Sequence, residues 1–453
     1  MSGLIPDRAG DGLRVLLLAL LTAAPLAFGS VHEPAFIPLL GLAGAGGLFS
    51  WARGHWARSL GADVPPVPAR RLLLALHLLV LVQLVPLPPL LLRLVSPGSF
   101  SFYSDTLLMP PLTAWRPVSV SPPDTWRGLA FLVAFSLFFG AVFREFGEER
   151  WRRRLAGVVV ATGVLLTLVA LLQAAAGTTT IYGLWKPTHD YAVFGPYVNR
   201  NHFAGYLVMA IPLALAFTVE AFQRLGRAWR RRRVGWLALG GPEGNAAIRQ
   251  ATVAMFVVVG LLASQSRGGV VAFAVSIVAL PLAFRHRRQA VVVIAAIAIL
   301  GLAWIGLSGV VEGFEKRGLE ASRLILWRDM AQMIPRFPFF GVGFNAFGTA
   351  YLRYQTIWRM LFIGEAHNDY LQVLLDLGLV GSALVASLLV TLFRAAARAA
   401  SHTPLDAGIL GALIALGFHA LVDFNWQIPA NALTYVALSA LALRQTARTS
   451  PSS

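Results

Sequence analysis

Two arginines stand in short polar motifs that interrupt the apolar sequence. Arg200 lies in YVNRNH and Arg267 lies in SQSRGG. A guanidinium holds a phosphate through two parallel hydrogen bonds, and the free N–H groups of a helix N-terminus favour an anion. Both arginines are therefore candidate ligands of an anionic substrate, with Asn199 and His202 as supporting side chains. A tight turn around Arg267 and a capped helix start at Arg200 are the alternatives without a ligand.

A histidine with acidic neighbours is the candidate general base. His367 lies in EAHNDYLQ, between Glu365 and Asp369, whose carboxylates can orient the imidazole. A neutral imidazole near two cations suits a general base beside a bound phosphate; an incidental histidine at a water interface is the alternative. His419 and Asp423 are four residues apart, and this spacing predicts a hydrogen-bonded pair that holds neighbouring helices together.

Other common catalytic motifs are absent from the sequence. It has no glycine-rich phosphate loop, no HExxH zinc motif and no nucleophile elbow. It has no cysteine, which excludes thiolate nucleophiles, disulfides and Cys-ligated metals. We therefore expect a site with no metal and no cofactor.

The composition distinguishes a membrane protein from a soluble one. Of 453 residues, 57% are hydrophobic and 13% are charged, and the mean hydropathy is +0.67. A soluble chain has roughly 45–50% apolar and about 25% charged residues, so an ordinary soluble enzyme is excluded. The basic residues are spread in short runs between apolar stretches, and nucleic acid is therefore not an expected partner.

Twelve apolar stretches predict membrane-spanning helices, each of which needs about 20 residues. They are 13–29, 35–51, 72–93, 127–143, 155–176, 202–221, 251–265, 268–284, 289–307, 371–393, 405–422 and 430–444. The pattern predicts an all-α polytopic membrane protein in three parts. Residues 1–307 hold helices 1–9, residues 308–370 form a large loop, and residues 371–453 hold helices 10–12 and a tail.

The distribution of positive charge predicts the orientation in the membrane. The net charge is +17. With a cytoplasmic N-terminus, four short inside loops carry 19 Lys and Arg residues, whereas five outside loops carry 4. This asymmetry follows the positive-inside rule. It places both termini and the run Arg230–Arg233 in the cytoplasm, and it places 308–370 outside.

The large outer loop has enough apolar content to fold. Residues 321–334 predict an amphipathic helix with Ser322 as its N-cap. Its expected apolar stripe consists of Leu324, Trp327, either Met330 or Ala331, and Ile334. A second short helix is expected at 345–360, and both helices are expected to lie flat on the membrane face.

An ordered set of motifs resembles the bacterial O-antigen ligase and O-antigen polymerase superfamily. The set consists of GPYVNRNHFAG (195–205), SRGG (266–269), Arg323 with Trp327, PFFGVG (338–343), and HNDYLQ (367–372) with Gly378 and Gly381. The resemblance covers roughly 190–430. It implies a GT-C-like membrane fold with a large periplasmic loop that contains short helices.

The resemblance also implies an activity and a site. The family is made of metal-independent, inverting glycosyltransferases at the outer face of the inner membrane, which take a glycan from an undecaprenyl-diphosphate carrier. Arg200, Arg267 and Arg323 match the arginines that hold the diphosphate, and His367 matches the essential histidine. The implied acceptors are a lipid A–core sugar, a second lipid-linked repeat or a protein, and membrane lipid surrounds the enzyme.

Two other classes remain as alternatives. A transporter or flippase of the lipid-linked glycan would require ionisable residues deep within the spans, and His77 is the clearest of few candidates. A binding or scaffold protein would not need arginines and a histidine on one face.

Overall fold

The structure is a computed structural model, and it describes residues 8–106, 113–186, 193–232, 239–283, 318–356 and 362–449. Its helices are α1 Arg8–Leu26, α2 Glu33–Ser59, α3 Arg70–Gln83, α4 Pro89–Val95, α5 Pro97–Thr106, α6 Pro122–Glu145, α7 Glu149–Ala175, α8 Arg200–Arg232, α9 Pro242–Ala263, α10 Arg267–Ala283, α11 Gly318–Met333, α12 Phe347–Tyr351, α13 Asp369–Ala400, α14 Pro404–His419 and α15 Pro429–Thr449. Within these ranges, β contacts are limited to isolated bridges. The prediction of an all-α chain is therefore confirmed.

Seven of the described helices are long and apolar enough to cross a membrane. They are α1, α2, α6, α7, α8, α9 and α13, and α10 and α14 are shorter apolar helices. They coincide with predicted spans, and the polytopic membrane class is confirmed. The predicted span 289–307 lies outside the described residues, so the total of twelve stays a prediction.

The predicted span 72–93 is wrong as a single helix. The helix α3 ends at Gln83, and α4 begins only at Pro89. Pro86 and Pro88 explain the interruption, because proline donates no backbone hydrogen bond and disfavours the helical conformation in the residue before it. With 14 residues, α3 is about 21 Å long.

The central helix of the bundle is α8. Of its most apolar stretch, 94% is buried inside the protein. It packs against α7, α9, α10 and α14. A helix that is apolar on every side is a buried helix, so the bundle holds α8 in place and fixes the side chains at its start.

The outer layer is built from two segments of the chain. Phe102 and Val120 join Met330 and Phe347 in one apolar cluster. The N–H of Val120 donates to the carbonyl of Val342 at 2.8 Å. The sequence predicts a folded outer layer from 308–370 alone, and the structure adds the segment that follows α3.

A break in α13 joins the outer layer to the bundle. Gly378 has φ +64° and ψ −168°, and the turn Pro338–Gly343 lies against it. The N–H groups of Val342 and Leu379 each find a carbonyl across this contact at 2.8 Å. A Cβ atom at Gly378 would lie 2.4 Å from the backbone of Phe339. The break is thus paired within the protein, as a membrane requires of irregular backbone.

Gln83 ties α3 to the same break. Its Nε2 donates to the carbonyl of Phe340 at 2.6 Å and to that of Asp376 at 2.8 Å, and its Oε1 accepts the N–H of Phe344 at 3.0 Å. The carboxylate of Asp376 accepts the N–H of Phe347 at 3.0 Å. These bonds fix α3, α13 and the outer turn to one another.

Candidate active site

Arg200 is the first residue of α8. The side-chain Oδ1 atom of Asn199 accepts the N–H of Asn201 at 2.8 Å, and the backbone carbonyl of Asn199 accepts the N–H of His202 at 3.1 Å. Asn199 therefore caps the helix, in the way its side chain favours. The half-buried Arg200 stands at this capped start.

Arg267 is the first residue of α10. Gln265, with φ +53°, turns the chain between α9 and α10. The Oγ atom of Ser266 accepts the N–H of Gly269 at 3.3 Å and donates to Oδ1 of Asn201 at 2.8 Å. This second bond joins the start of α10 to the start of α8.

The glycines after Arg267 permit close helix packing. A Cβ atom at Gly269 would lie 2.8 Å from Cβ of Ala204 in α8, and one at Gly268 would lie 2.8 Å from the ring of His419 in α14. Larger residues would therefore separate α10 from both helices. Close packing therefore accounts for the two glycines of the SRGG motif, separately from any role of its arginine.

The two arginines thus stand at neighbouring helix N-termini. Arg200 and Arg267 are close enough for their charges to repel each other. Each helix N-terminus adds about half a positive charge, so positive charge is concentrated at this corner of the bundle. A diphosphate would relieve the repulsion and could accept hydrogen bonds from both guanidinium groups.

His367 lies in the segment that leads into α13. The residue is half-buried and has φ +51°, a left-handed conformation that costs a residue with a Cβ atom roughly 1–2 kcal/mol. On one side, the side chain of Asn368 caps α13. On the other, the carbonyl of Ala366 accepts a hydrogen bond from Nε1 of Trp327 at 3.0 Å. Backbone strain held by its surroundings is typical of functional positions.

A carboxylate from a different loop faces His367. The Oδ1 atom of Asp423 lies 3.6 Å from Nδ1 of His367 and 3.6 Å from Nε2 of His202. The ring of Phe424 packs edge-on against both imidazoles, with centroid distances of 4.8 and 4.4 Å. Burial alone would raise the pKa of the Asp423 carboxyl, but His202 and His367 hold that pKa well below its usual range. Asp423 is therefore an ionised carboxylate that lies at ion-pair distance from both rings.

Glu365 and Asp369 are near His367 in sequence but bind other groups. The Oε2 atom of Glu365 accepts from Nε2 of Gln372 at 2.5 Å, and burial raises the pKa of Glu365 to about 7. The Oδ2 atom of Asp369 accepts a backbone N–H of the loop after α14 at 3.0 Å. The carboxylate contact with His367 comes from Asp423, rather than from the two acids that the sequence suggested.

Other contacts replace the predicted hydrogen bond between His419 and Asp423. The Nδ1 atom of His419 lies 3.1 Å from Nδ2 of Asn425. Oδ1 of Asn425 accepts from Nδ2 of Asn431 at 2.8 Å, and Oδ1 of Asn431 accepts from the hydroxyl of Tyr197 at 2.9 Å. This chain orients both amides, so Asn425 donates and Nδ1 of His419 accepts. Neutral His419 therefore carries its proton on Nε2.

Arg323, the third predicted phosphate ligand, lies on α11 in the outer layer. Its charge acts on the ring of His419, which places this part of α11 near the same corner of the bundle. Trp327, one turn further along, donates to the residue before His367. The structure thus gathers Arg323 with the other candidates.

The outer helices differ in detail from the prediction. In α11 the buried residues include Leu326, Met330 and Met333, whereas Leu324 is 63% exposed. The helix begins at Gly318, so Ser322 lies inside it and is not its N-cap. The second outer helix, α12, has only five residues.

Several residues that build the site have only weak signals in the sequence. The four-residue spacing predicts that Asp423 pairs with His419 on one helix, whereas Asp423 lies in the loop after α14. Asn425 and Asn431 are fully buried, and a Cβ atom at Gly205 would meet the side chains of both. Polar residues between two apolar spans are the signal that points to them. In the described part of the chain, no group of three or more His, Asp or Glu side chains is arranged to hold a metal ion.

A family model described as O-antigen ligase matches residues 251–386 of the chain. The matched stretch contains Arg267, Arg323 and His367, whereas Arg200 and Asp423 lie outside it. No curated protein sequence matches the chain. The match supports placing the chain in the O-antigen ligase and polymerase superfamily, which confirms the resemblance drawn from its motifs. It supports, in general terms, a membrane enzyme that transfers glycans.

Proposed function

We propose that this protein moves a glycan from an undecaprenyl-diphosphate carrier to a sugar hydroxyl of an acceptor, at the outer face of the bacterial inner membrane. The acceptor is a lipid A–core sugar or a second lipid-linked repeat, which makes the enzyme a ligase or a polymerase of surface polysaccharide. One observation carries the proposal. The start of α8, the start of α10 and the His367 segment meet in one polar cluster, through Ser266–Asn201 and His202–Asp423–His367.

The chemistry fits these residues. Arg200, Arg267 and Arg323 would hold the diphosphate and stabilise the negative charge that develops as it leaves. His367 would take the proton of the acceptor hydroxyl while that oxygen bonds to the anomeric carbon. The bond between this carbon and the diphosphate breaks, and the diphosphate keeps its electrons. Attack opposite the leaving group inverts the anomeric centre.

The test is a glycan-transfer assay with the purified protein in lipid vesicles. The protein is incubated with lipid-linked glycan and one of three acceptors, in the presence of a chelator. The acceptors are lipid A–core, a second lipid-linked repeat and a peptide. We expect a covalent glycan–acceptor product and released undecaprenyl diphosphate. Movement of the lipid-linked glycan across the bilayer without a new bond would contradict the proposal and favour a flippase. Transfer to the peptide alone would change the acceptor class.

The variant His367→Gln tests the role of the base. Glutamine keeps a hydrogen-bonding side chain but cannot take a proton, so we expect transfer to fall by about 10²–10⁴-fold. Binding of the lipid-linked donor should persist, because the arginines hold the diphosphate. Substantial transfer by this variant would show that His367 only holds the outer layer to α13.

A further inference from the structure

The loop between α14 and α15 is fixed on several sides. The carbonyl of Ala420 accepts the N–H of Asp369 at 2.9 Å. The N–H of Trp426 donates to Oδ2 of Asp369 at 3.0 Å, and the hydroxyl of Tyr370 donates to the carbonyl of Gly417 at 2.7 Å. The start of α13, which follows His367, is therefore tied to this loop. These bonds keep the loop beside the segment that carries His367.

Asp423 is the charged side chain that this loop directs to His367. It is 1% exposed, and its Oδ1 also accepts the N–H of Phe424 at 2.9 Å. An ionised carboxylate only accepts hydrogen bonds. Nδ1 of His367 is the imidazole nitrogen that faces this carboxylate, at the ion-pair distance of 3.6 Å. The negative charge favours a proton on that nitrogen.

We propose that Asp423 is the positioning residue of the site, and that it holds His367 as the tautomer protonated on Nδ1. This proposal rests on the transfer reaction proposed above. The neutral ring then has its lone pair on Nε2, which takes the proton of the acceptor hydroxyl. The resulting imidazolium presents its Nδ1–H to the carboxylate, which stabilises the new positive charge. Nε2 of His202 in α8 lies 3.6 Å from the same oxygen, which also accepts the backbone N–H of Phe424.

Other titratable or charged groups lie near this pair and bear on its pH response. They are His202 from α8, His419 from α14, Asp369 from α13 and Arg323 from α11, whose charge reaches His419. Substitution of Asp423 keeps these side chains but also removes its charge from His202, His419 and Asp369. A shift in the pH profile is therefore read together with the tautomer of His367.

The variant Asp423→Asn keeps the shape and removes the charge. We expect kcat to fall by about 10²-fold or more while the KM for the lipid-linked donor changes little. The acid limb of the pH–rate profile should move to lower pH, because the imidazolium loses its anionic neighbour. The matched control is Asp329→Asn, since Asp329 is equally buried but binds Tyr351 and Thr356 in the outer layer. Its acid limb should stay where it is in the wild type. An unmoved limb in Asp423→Asn, or a kcat near that of the wild type, would overturn the proposal.

A second measurement needs no variant of Asp423. Solid-state NMR of wild-type protein with ¹⁵N-labelled histidine reports the protonated nitrogen of each ring, and loss of one signal set in His367→Gln assigns His367. We expect a protonated Nδ1 and an unprotonated Nε2 at neutral pH, and the opposite tautomer would refute the positioning role. If the protein shows this tautomer but transfers no glycan, the contact between Asp423 and His367 stands and the proposed transfer reaction fails. If the protein transfers glycan and Asp423→Asn has the pH profile of the wild type, the transfer reaction stands and the positioning role of Asp423 fails.

Discussion

At the residue scale, two pairs of arginines near helix N-termini stand in different surroundings. Arg153 bonds to Glu220 at 2.6 Å, and Arg152 pairs with Asp406, so both serve to hold helices together. Arg200 and Arg267 instead begin their helices, where the helix dipole opposes a positive charge. Such positions are favourable when an anion is bound. The second pair of arginines is therefore the pair to test for substrate binding.

The variants Arg200→Ala and Arg267→Ala should each lose most transfer activity. Loss of one charge-assisted contact in a partly desolvated site costs about 2–5 kcal/mol. Arg→Lys should also perform poorly, because an ammonium lacks the planar fork. Arg328→Ala, at an exposed position of α11, is the control and should transfer normally. Glycan transfer and insertion into the membrane are measured together. Near-normal transfer by both alanine variants would remove Arg200 and Arg267 from the site.

The variant Glu365→Gln should change the pH dependence of stability. The native pKa of Glu365 is raised by burial from 4.5 to about 7, so the folded protein favours the protonated carboxyl. Its contribution to stability is complete below pH 4.5 and is lost as the pH rises through about 7. Glutamine mimics the protonated form and still accepts a bond from Gln372. The melting temperature of the variant relative to the wild type should therefore rise between pH 4.5 and 7 and then level off. Parallel melting curves across this window would show that Glu365 does not titrate there.

At the scale of the elements, the broken helix α13 links the membrane bundle to the outer layer. Its break is matched by the turn Pro338–Gly343 and by the side chain of Gln83. The outer turn and the break thus explain why the PFFGVG motif and Gly378 occur together in one chain. They also fix the direction from which the segment with His367 enters α13.

The variant Gly378→Ala should destabilise the folded protein. Gly378 has a backbone conformation that glycine adopts easily but that strains a residue with a Cβ atom, at a cost of about 1–3 kcal/mol. The close contact of this Cβ atom with the backbone of Phe339 adds to the cost. The control is Gly157→Ala in α7, where an added Cβ atom meets nothing within 4 Å and alanine favours the helix. Melting in detergent should fall for the first variant and stay equal or rise for the second. Equal melting temperatures for Gly378→Ala and the wild type would mean that the break adapts to a side chain.

Hydropathy was sufficient to predict most of the helices but not the contacts between them. Long apolar runs predict α8 and α13 because burial in a bilayer depends on composition alone. The end of α3 at Gln83 depends on nearby prolines that a hydropathy window averages out. The partner of His367 could not be read from spacing, because Asp423 reaches it from a loop more than 50 residues away. Motif residues are local in sequence, whereas their orienting contacts are tertiary.

At the scale of the whole molecule, the long helices place two groups of polar residues at opposite ends of the bundle. With 33 residues, α8 is about 50 Å long, which exceeds the roughly 30 Å of a bilayer's hydrocarbon core. Arg200 and Glu220 are therefore about 30 Å apart along this axis. The candidate site lies at the first end, and the ion pairs of Arg152 and Arg153 lie toward the other. If α8 spans the membrane, we expect the site and Arg230, near the other end of this helix, to lie on opposite faces.

This separation predicts the topology independently of the charge count. Reporter fusions at residue 240, in the turn before α9, and at residue 340, in the turn held by Gln83, should report opposite sides. The positive-inside rule assigns residue 240 and both termini to the cytoplasm, and it assigns residue 340 to the periplasm with the site. Labelling of intact cells with a membrane-impermeant reagent at introduced cysteines provides a second readout, since the chain has no cysteine of its own. Equal accessibility of the two positions would be incompatible with a membrane-spanning α8. Accessibility of 240 alone would invert the protein and place the arginines and His367 away from a periplasmic acceptor.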